Sequence, residues 1–287
     1  MPAITPARPC HDEPSVIRAG NGARRPVPAC PRWSIAFILL GLSLQAQAAG
    51  AGGVGACGVR SGEVRVPVVE LYTSEGCSSC PPADRWLTRQ VAAGGHDAHW
   101  LAFHVDYWDD LGWPDRFGAA AHSERQRQRV AAAGRRTVYT PQVMVGREVF
   151  AMWRTDRPFR RQLDAERGPA QAGLALRLQT DGAGVRLHVG AALTSTGAAT
   201  DSPSVWVAET RDARFTEVRA GENAGTRLRH DRVVVALWGP WPLEGGRFAR
   251  TVTTTAGEIP DAAWTAFVQT ADGRILQSLR LEGGDCR

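Results

Sequence analysis

The sequence predicts an α/β domain followed by an antiparallel β-sandwich domain. A strand, a helix and a second strand follow one another between residues 64 and 108, which is the order of a βαβ unit. After Gly168-Pro169, apolar and polar residues alternate as in antiparallel strands with one face in a core. The 287 residues, 43% of them hydrophobic, suffice for about two domains. We place these domains at residues 57–168 and 172–287.

Residues 1–48 have the features of a secretory signal peptide with a long basic n-region. Basic residues ending at Arg32 precede the apolar run SIAFILLGLSL, and the triplet Ala46-Gln47-Ala48 provides a cleavage site. The run is too short to span a bilayer comfortably. The sequence therefore predicts a secreted or periplasmic protein with no membrane span in the mature chain. Val54-Gly55-Ala56-Cys57 resembles a lipobox, which leaves lipidation at Cys57 as an alternative.

The charge distribution argues against nucleic acid as the main ligand. The formal net charge is +5, of which +3 belongs to residues 1–48 and +2 to the rest of the chain. Binding of nucleic-acid phosphates needs a concentrated basic surface, which a nearly neutral body does not offer.

The first half begins with a βαβ pattern. The run VRVPVVEL from Val64 to Leu71 is β-branched and apolar, as in a buried parallel strand. Four apolar residues then recur at helical spacing, and Gly94-Gly95 ends the helix. The second strand is HWLAFHVDYW at residues 99–108. The two strands should be parallel and joined by a right-handed crossover.

The rest of the first half predicts a long insertion and then a hairpin. Residues 109–136 form an aromatic loop and a helical stretch rich in alanine and arginine. Its arginines, which we expect on a solvated face, are Arg125, Arg127, Arg129, Arg135 and Arg136. Two short β-like runs at residues 138–150 break at Gly146, and a helix-like segment at 158–166 closes this half.

The second half predicts antiparallel strands with the turns DGAG and ADG. The segments with alternating polarity are LALRLQTDGAGVRLHVGAAL, SVWVAET, DRVVVALW, GRFARTVTTTAG and AWTAFVQTADGRILQSLRL. About 110 residues of this kind favour a β-sandwich.

Four cysteines remain after removal of the leader, which contains Cys10 and Cys30. An even number of cysteines in an oxidising compartment suggests disulfides. Cys77 and Cys80 lie close in sequence, whereas Cys57 and Cys286 lie near the two mature ends. The simplest pairing is therefore Cys77 with Cys80 and Cys57 with Cys286, with unconnected thiols as the alternative.

The stretch ELYTSEGCSSCPPAD places the pair where a strand meets a helix. Unsatisfied amides and the dipole at a helix N-terminus favour a thiolate, so a Cys-x-x-Cys pair there can be reactive. The helix could begin at the motif, or only at Pro81 or Pro82 with Cys80 as its cap. The motif is also compatible with an inert local disulfide or with half of a zinc site, but no second Cys-x-x-Cys pair completes a zinc site.

Four segments together resemble the secreted thioredoxin-like family known as domain of unknown function 1223. They are ELYTSEGCSSCPPADRWL, AFHVDYWDDLGW, VYTPQVMVGR and RAGENAGTRLRH, and the resemblance runs from about Val68 to the C-terminus. It implies a thioredoxin-like domain followed by a β domain, and it carries no settled activity. In the thioredoxin fold, a cis-proline preceded by threonine faces the cysteine pair and aligns a substrate peptide. Thr140-Pro141 occupies the corresponding place here.

The resemblance also implies a role for Glu70. Thioredoxins and protein disulfide isomerases place a buried acid below the active site, where it takes the proton from the second cysteine. Glu70 lies seven residues before Cys77, one more than is usual in those families. A buried carboxyl with a raised pKa suits proton transfer. A surface or salt-bridged glutamate is the alternative interpretation.

We therefore predict an exported thiol–disulfide oxidoreductase that uses no cofactor. Cys77 would exchange with a protein substrate or redox partner that carries thiols or disulfides, Cys80 would resolve the mixed disulfide, and Thr140-Pro141 would align the peptide. One alternative is copper(I) delivery by the two thiolates with a histidine such as His104. Another is a non-catalytic binding module in which the pair is a permanent disulfide.

The segment from Gly221 to Gly225 has no assigned role at the level of the sequence. Turn chemistry explains its composition. If the segment folded over Cys77, it would shape access to the pair.

Overall fold

The computed structural model describes residues 56–95, 98–181, 184–194, 202–254 and 259–286. The predicted signal peptide, with Cys10 and Cys30, lies outside the described residues. The described residues form one compact unit. Among the described residues, no helix is both long and apolar enough to cross a bilayer.

The described residues contain three α-helices and fourteen β-strands. The helices are α1 (Pro81–Ala92), α2 (Ala120–Ala132) and α3 (Asp156–Glu166). The strands of the first half are β1 (Ala56–Arg60), β2 (Val68–Thr73), β3 (His99–His104), β4 (Gln142–Val145) and β5 (Glu148–Val149). Those of the second half are β6 (Ala172–Asp181), β7 (Gly184–Leu193), β8 (Ser204–Arg211), β9 (Arg214–Glu217), β10 (Arg227–His230), β11 (Val233–Pro242), β12 (Arg247–Thr253), β13 (Ala262–Gln269) and β14 (Ile275–Glu282).

An eight-stranded mixed sheet carries strands from both halves of the chain, in the order β14-β13-β8-β11-β3-β2-β4-β5. β2 pairs with β3 in parallel and with β4 antiparallel. All six residues of β2 are buried, because helices cover both faces of this part of the sheet. On one face, Leu71 packs with Trp86 of α1 and Phe159 of α3. The opposite face, which includes Tyr72 and Phe103, lies towards α2.

A second sheet of four strands has the order β1-β6-β7-β12. Its apolar face, which includes Leu176 and Leu187, packs on Trp264 and its neighbours in the eight-stranded sheet. A disulfide joins Cys57 of β1 to Cys286, with the two Cα atoms 5.3 Å apart. Because its sulfur is in this bond, Cys57 is not available for lipidation in this structure.

The predicted fold class, an α/β thioredoxin-like domain followed by an antiparallel β-sandwich domain, is wrong. Strands predominate among the described residues, and β8, β11, β13 and β14 of the second half continue the sheet that contains β2 and β3. The link is β11, which pairs antiparallel with β8 and in parallel with β3. The predicted boundary at residues 168–172 falls between α3 and β6. Alternating polarity predicts that a segment is a strand, but not which sheet edge it will join.

The expectation that the arginines of α2 form a solvated face is wrong for two of them. Arg125 and Arg129 are buried, whereas Arg127 is more than half exposed. Both buried arginines reach Glu70 of β2, and α2 therefore docks on the sheet through ion pairs rather than through an apolar stripe.

Candidate functional site

The Cys77–Cys80 pair lies between the end of β2 and the start of α1. The two cysteines form a disulfide with their Cα atoms 5.4 Å apart. Cys80 is the N-cap of α1, and its carbonyl accepts hydrogen bonds from the amides of Ala83 and Asp84. Pro81 and Pro82 begin the helix, where the N–H groups that they lack would have no helical partner. The sulfurs therefore lie at the positive end of the helix dipole.

Both sulfur-bearing residues are fully buried. Cys77 and Cys80 are each 0% exposed, whereas Ser78 and Ser79 between them are exposed. The Sγ atom of Cys77 lies 3.6 Å from the Ser79 hydroxyl. A reagent must therefore displace neighbouring atoms before it can reach either sulfur.

Thr140 and Pro141 lie beside the pair. The Thr140 carbonyl oxygen is 3.8 Å from Sγ of Cys77, and the Thr140–Pro141 peptide bond is cis. The indole of Trp108 donates a 2.8 Å hydrogen bond to the Thr140 hydroxyl and so fixes this segment. The structure thus brings together four of the predicted site residues, which are Cys77, Cys80, Thr140 and Pro141.

The Gly221–Gly225 segment, which connects β9 to β10, also contacts the cysteine pair. Asn223 donates hydrogen bonds to the carbonyls of Glu75 and Cys77, at 2.8 and 3.0 Å. The Glu222 carboxylate accepts a 2.9 Å hydrogen bond from the amide of Ser78. We call residues 221–225 the covering loop, because these contacts hold it against the backbone of residues 75–78.

The Asn223→Ala variant should open the cysteine pair to reagents more often than the wild type. The side chain donates two hydrogen bonds, each with a net value of about 0.5–1.5 kcal/mol, so the open population should rise roughly tenfold. The rate at which a water-soluble phosphine reduces the Cys77–Cys80 bond would measure this change. Arg219→Ala, an exposed change in the same connection, is the matched control. Equal rates for both variants and the wild type would show that the loop does not limit access.

The Glu70 carboxylate is bound by other side chains rather than available beneath the cysteine pair. Its carboxylate accepts 2.5 Å hydrogen bonds from Arg125 and from the Tyr72 hydroxyl, and it also lies 3.4 Å from Arg129. Burial would raise the pKa of Glu70, but the two guanidinium charges and these hydrogen bonds lower it to about 2. The structure therefore favours the salt-bridged interpretation, because a carboxylate held in its charged form is a poor proton acceptor.

A cluster of buried acids and imidazoles lies next to the pair instead. We call Glu75, Asp84, His104, Asp115 and His230 the acid–imidazole cluster. The rings of His104 and His230 are 4.8 Å apart at their centroids. His104 Nδ1 is 2.6 Å from Asp115, and His230 Nε2 is 3.2 Å from Glu75. On the other side of the ring, His230 Nδ1 is 3.9 Å from Asp84.

The cluster contains one tight ion pair and one acid with a raised pKa. Burial would lower the pKa of His104, but the charge and hydrogen bond of Asp115 raise it overall. Burial would likewise raise the pKa of Asp115, but His104 lowers it to about 2. Burial raises the pKa of Asp84, and the imidazoles of His230 and His104 offset only part of this effect. Asp84 is therefore the member best suited to hold a proton.

Sequence reasoning did not single out Asp84, and it gave no role to Asn223 or His230, although it considered that residues 221–225 could fold over Cys77. A carboxylate in the first turn of a helix is ordinarily explained by the helix dipole. His230 and Asn223 come from the second half of the chain, and only the folded structure brings them to the first half.

The copper interpretation finds little support in this geometry. His104 already uses Nδ1 to bind Asp115. Within the described ranges, no group of three or more histidine, cysteine or acidic residues is arranged to hold a metal ion.

Comparison with known proteins shows the family of the chain and a fold shared with solved structures. Residues 68–269 match a family model described as protein of unknown function, DUF1223. The crystal structure of an Agrobacterium tumefaciens protein is similar, with a TM-score of 0.60 and 24% identity, and the match covers 79% of this chain and 98% of that chain. HBP35 of Porphyromonas gingivalis matches with a TM-score of 0.57 and 14% identity, over 77% of this chain and 76% of that chain. At these identities the similarity establishes a shared fold alone. No curated protein sequence is a significant match.

Proposed function

We propose that this chain, which belongs to the DUF1223 family of proteins of unknown function, is a thiol–disulfide oxidoreductase whose reacting groups are Cys77 and Cys80. The observation that carries the proposal is the Cys77–Cys80 disulfide at the N-terminus of α1, with Thr140 beside the first sulfur. The amides and dipole at that end of the helix favour a thiolate when the bond is reduced.

The reaction is an exchange of one disulfide for another. In the reduced protein, the Cys77 thiolate attacks one sulfur of a substrate disulfide, forms a mixed disulfide and releases the first substrate thiolate. Cys80 then loses its proton and attacks Sγ of Cys77, which re-forms the Cys77–Cys80 bond and releases the second substrate thiolate. Two electrons pass from the pair to the substrate, and the reverse sequence oxidises a substrate dithiol. We assign Thr140 and Pro141 to aligning the substrate backbone beside Cys77.

The substrate class that fits this site is a protein with exposed cysteines. The two disulfides of the described chain suit an oxidising compartment, in keeping with the signal peptide expected from the sequence. We therefore propose a secreted or periplasmic location, where protein thiols and disulfides are available as partners.

A redox titration of the mature protein tests this function. The protein is equilibrated in buffers of graded potential, and free thiols are alkylated and counted by mass spectrometry. We expect the Cys77–Cys80 midpoint between about −270 and −120 mV, the range of known oxidoreductases. The Cys57–Cys286 bond serves as the internal control and should remain oxidised throughout this range.

One observation favours a second candidate function, a binding module with a permanent disulfide. Cys77 and Cys80 are both fully buried, and the covering loop holds the backbone around Cys77. The same titration separates the two candidates. A midpoint below about −300 mV would indicate a structural disulfide and contradict the oxidoreductase.

A further inference from the structure

A cavity of about 200 Å³ lies between α2 and the eight-stranded sheet, and two buried arginines form part of its wall. The wall residues from α2, from the strands and from the turn between β13 and β14 include Arg125, Arg129, Trp206, Pro240 and Gln269. Gln128 and Ala271 also line the cavity, and both are exposed. Arg125 and Arg129, by contrast, are only 3% and 4% exposed. The cavity therefore leads from the protein surface to two guanidinium groups that are otherwise shielded from water.

The two arginines share a single carboxylate. Arg125 and Arg129 both reach Glu70, at 2.5 and 3.4 Å, and within the described part of the chain no other carboxylate lies within ion-pair distance of either. Tyr72 adds no negative charge, because burial and then the charge of Glu70 raise the pKa of its hydroxyl well above the ordinary value of 10. Glu166 of α3 acts on Arg129 only from beyond ion-pair distance. The three groups in contact, two guanidiniums and one carboxylate, therefore have a net charge of +1.

Arg125 also has hydrogen-bonding capacity left. A guanidinium carries five N–H donors, and the hydrogen bonds that Arg125 donates to Glu70 and Gln269 both come from Nη2. Its Nε atom is buried and has no hydrogen-bond partner. Arg129 differs, because its Nη1 and Nη2 atoms donate to two backbone carbonyls. Arg125 is therefore the side chain best placed to bind an anion in the cavity.

A purely structural role for the arginines does not account for this excess of positive charge. One arginine per carboxylate would hold α2 on the sheet with the charges balanced, and an uncompensated buried charge is unfavourable. The carbonyls that Arg129 contacts satisfy its N–H groups but leave its charge in place. A bound monoanion would balance the site, whereas a dianion would reverse its charge.

The walls of the cavity indicate which monoanion fits. A carboxylate is planar, and its two oxygens pair with the parallel N–H donors of a guanidinium. Trp206, whose ring centroid lies 4.6 Å from the guanidinium carbon of Arg125, and Pro240 provide apolar surface beside that charge. One water molecule needs about 10–15 Å³ of such space, so the cavity has room for more than a carboxylate group alone.

We infer that this cavity is a binding site for a small monocarboxylate with an apolar body, whose carboxylate pairs with Arg125. The apolar body would lie against Trp206 and Pro240, and Gln128 and Ala271 would flank the entrance. This site is separate from the cysteine pair, and the inference does not depend on the proposed redox function.

Benzoate and benzamide test the inference on the wild-type mature protein. The two molecules have nearly the same shape, but only benzoate is charged. Isothermal titration calorimetry at constant ionic strength should show one benzoate bound per chain and no binding of benzamide. Benzoate at ten times its dissociation constant favours the folded state about elevenfold, which should raise the melting temperature by about 3–6 °C. Equal concentrations of sulfate should not displace it, because sulfate is a dianion.

Ala132→Phe and Ala131→Phe provide a matched pair of variants on α2. Ala132 lines the cavity, so a phenylalanine there would fill part of its volume without removing a charge. Ala131 is exposed and is not among the residues that line the cavity. We expect Ala132→Phe to weaken benzoate binding about tenfold or more, because a ring in a close-packed site leaves no room for the ligand. Ala131→Phe should bind benzoate as the wild type does.

The wild-type measurement alone decides the matter if the variants do not fold. No heat of binding with benzoate at about 10 mM would overturn the inference. Equal affinities for benzoate and benzamide would also overturn it, because Arg125 would then not recognise the charge. Displacement of benzoate by sulfate would contradict the assigned class of ligand, and equal affinities of Ala132→Phe and Ala131→Phe would contradict the assigned cavity.

Discussion

The Cys77→Ser variant should lose exchange with disulfide substrates by about 10³-fold or more. A serine hydroxyl is not ionised at neutral pH and forms no disulfide, so the first covalent step of the proposed reaction is removed. The measurement is the rate of reduction of a small mixed-disulfide substrate by a dithiol, with enzyme at catalytic concentration. Circular dichroism and urea unfolding would establish that the variant is folded.

Cys80→Ser provides the informative comparison. It keeps the nucleophile but removes the group that resolves the intermediate, and the Cys77–substrate mixed disulfide should therefore accumulate and be visible by mass spectrometry. The Cys57→Ser/Cys286→Ser double variant, which removes the other disulfide, should retain exchange. Activity in Cys77→Ser, or no trapped adduct in Cys80→Ser, would contradict the assigned roles of the two cysteines.

Part of the candidate site was predictable because its signals are local. Cys77, Cys80 and the start of α1 lie within a few residues, and turn and cap chemistry act over that distance. Thr140 came from the family resemblance. Asn223 and His230 were not predictable, since their partners Cys77 and Asp84 lie more than a hundred residues away. No periodicity or spacing in the sequence encodes such a contact.

The individual strands and helices were partly predictable, but their assembly into sheets was not. The strands β2 and β3 and the helix between them follow from polarity patterns, since a strand and a helix repeat with different periods. The assembly into one eight-stranded sheet was not, because β11 joins the edge of β3 through a parallel pairing between distant parts of the chain. The sequence of β3 does not indicate which strand will pair with its second edge.

Glu70 illustrates a different limit of prediction from sequence. Its position on a buried strand was correct, but the meaning of a buried carboxylate depends on what faces it. Arg125 and Arg129 lie on α2 within an unbroken run of eight polar residues from His122 to Arg129, which made the helix resemble a solvated one. Because α2 docks through buried ion pairs, hydrophobic periodicity does not reveal its docking face.

Replacing Arg125 by methionine should lower the free energy of unfolding by about 3–5 kcal/mol, the usual cost of breaking a buried ion pair from one side. The change leaves the Glu70 carboxylate buried without its 2.5 Å partner, and it removes a guanidinium that lies 4.6 Å from the Trp206 ring centroid. Urea unfolding at neutral pH measures the loss. The matched control is Arg127→Met on the same helix, whose pair with Glu124 is exposed and should contribute only about 0–1 kcal/mol.

The pH dependence of this loss identifies its electrostatic origin. The pKa of Glu70 is about 2 in the folded protein, below its ordinary value of 4.5. The stabilisation from the ion pair is therefore fully present above pH 4.5 and disappears as the pH falls towards 2. The difference in unfolding free energy between the wild type and Arg125→Met should shrink across that interval, whereas the Arg127→Met difference should stay small throughout. A difference for Arg125→Met that does not change with pH would mean that the arginine stabilises α2 through packing alone, because a contribution from packing does not require Glu70 to be charged.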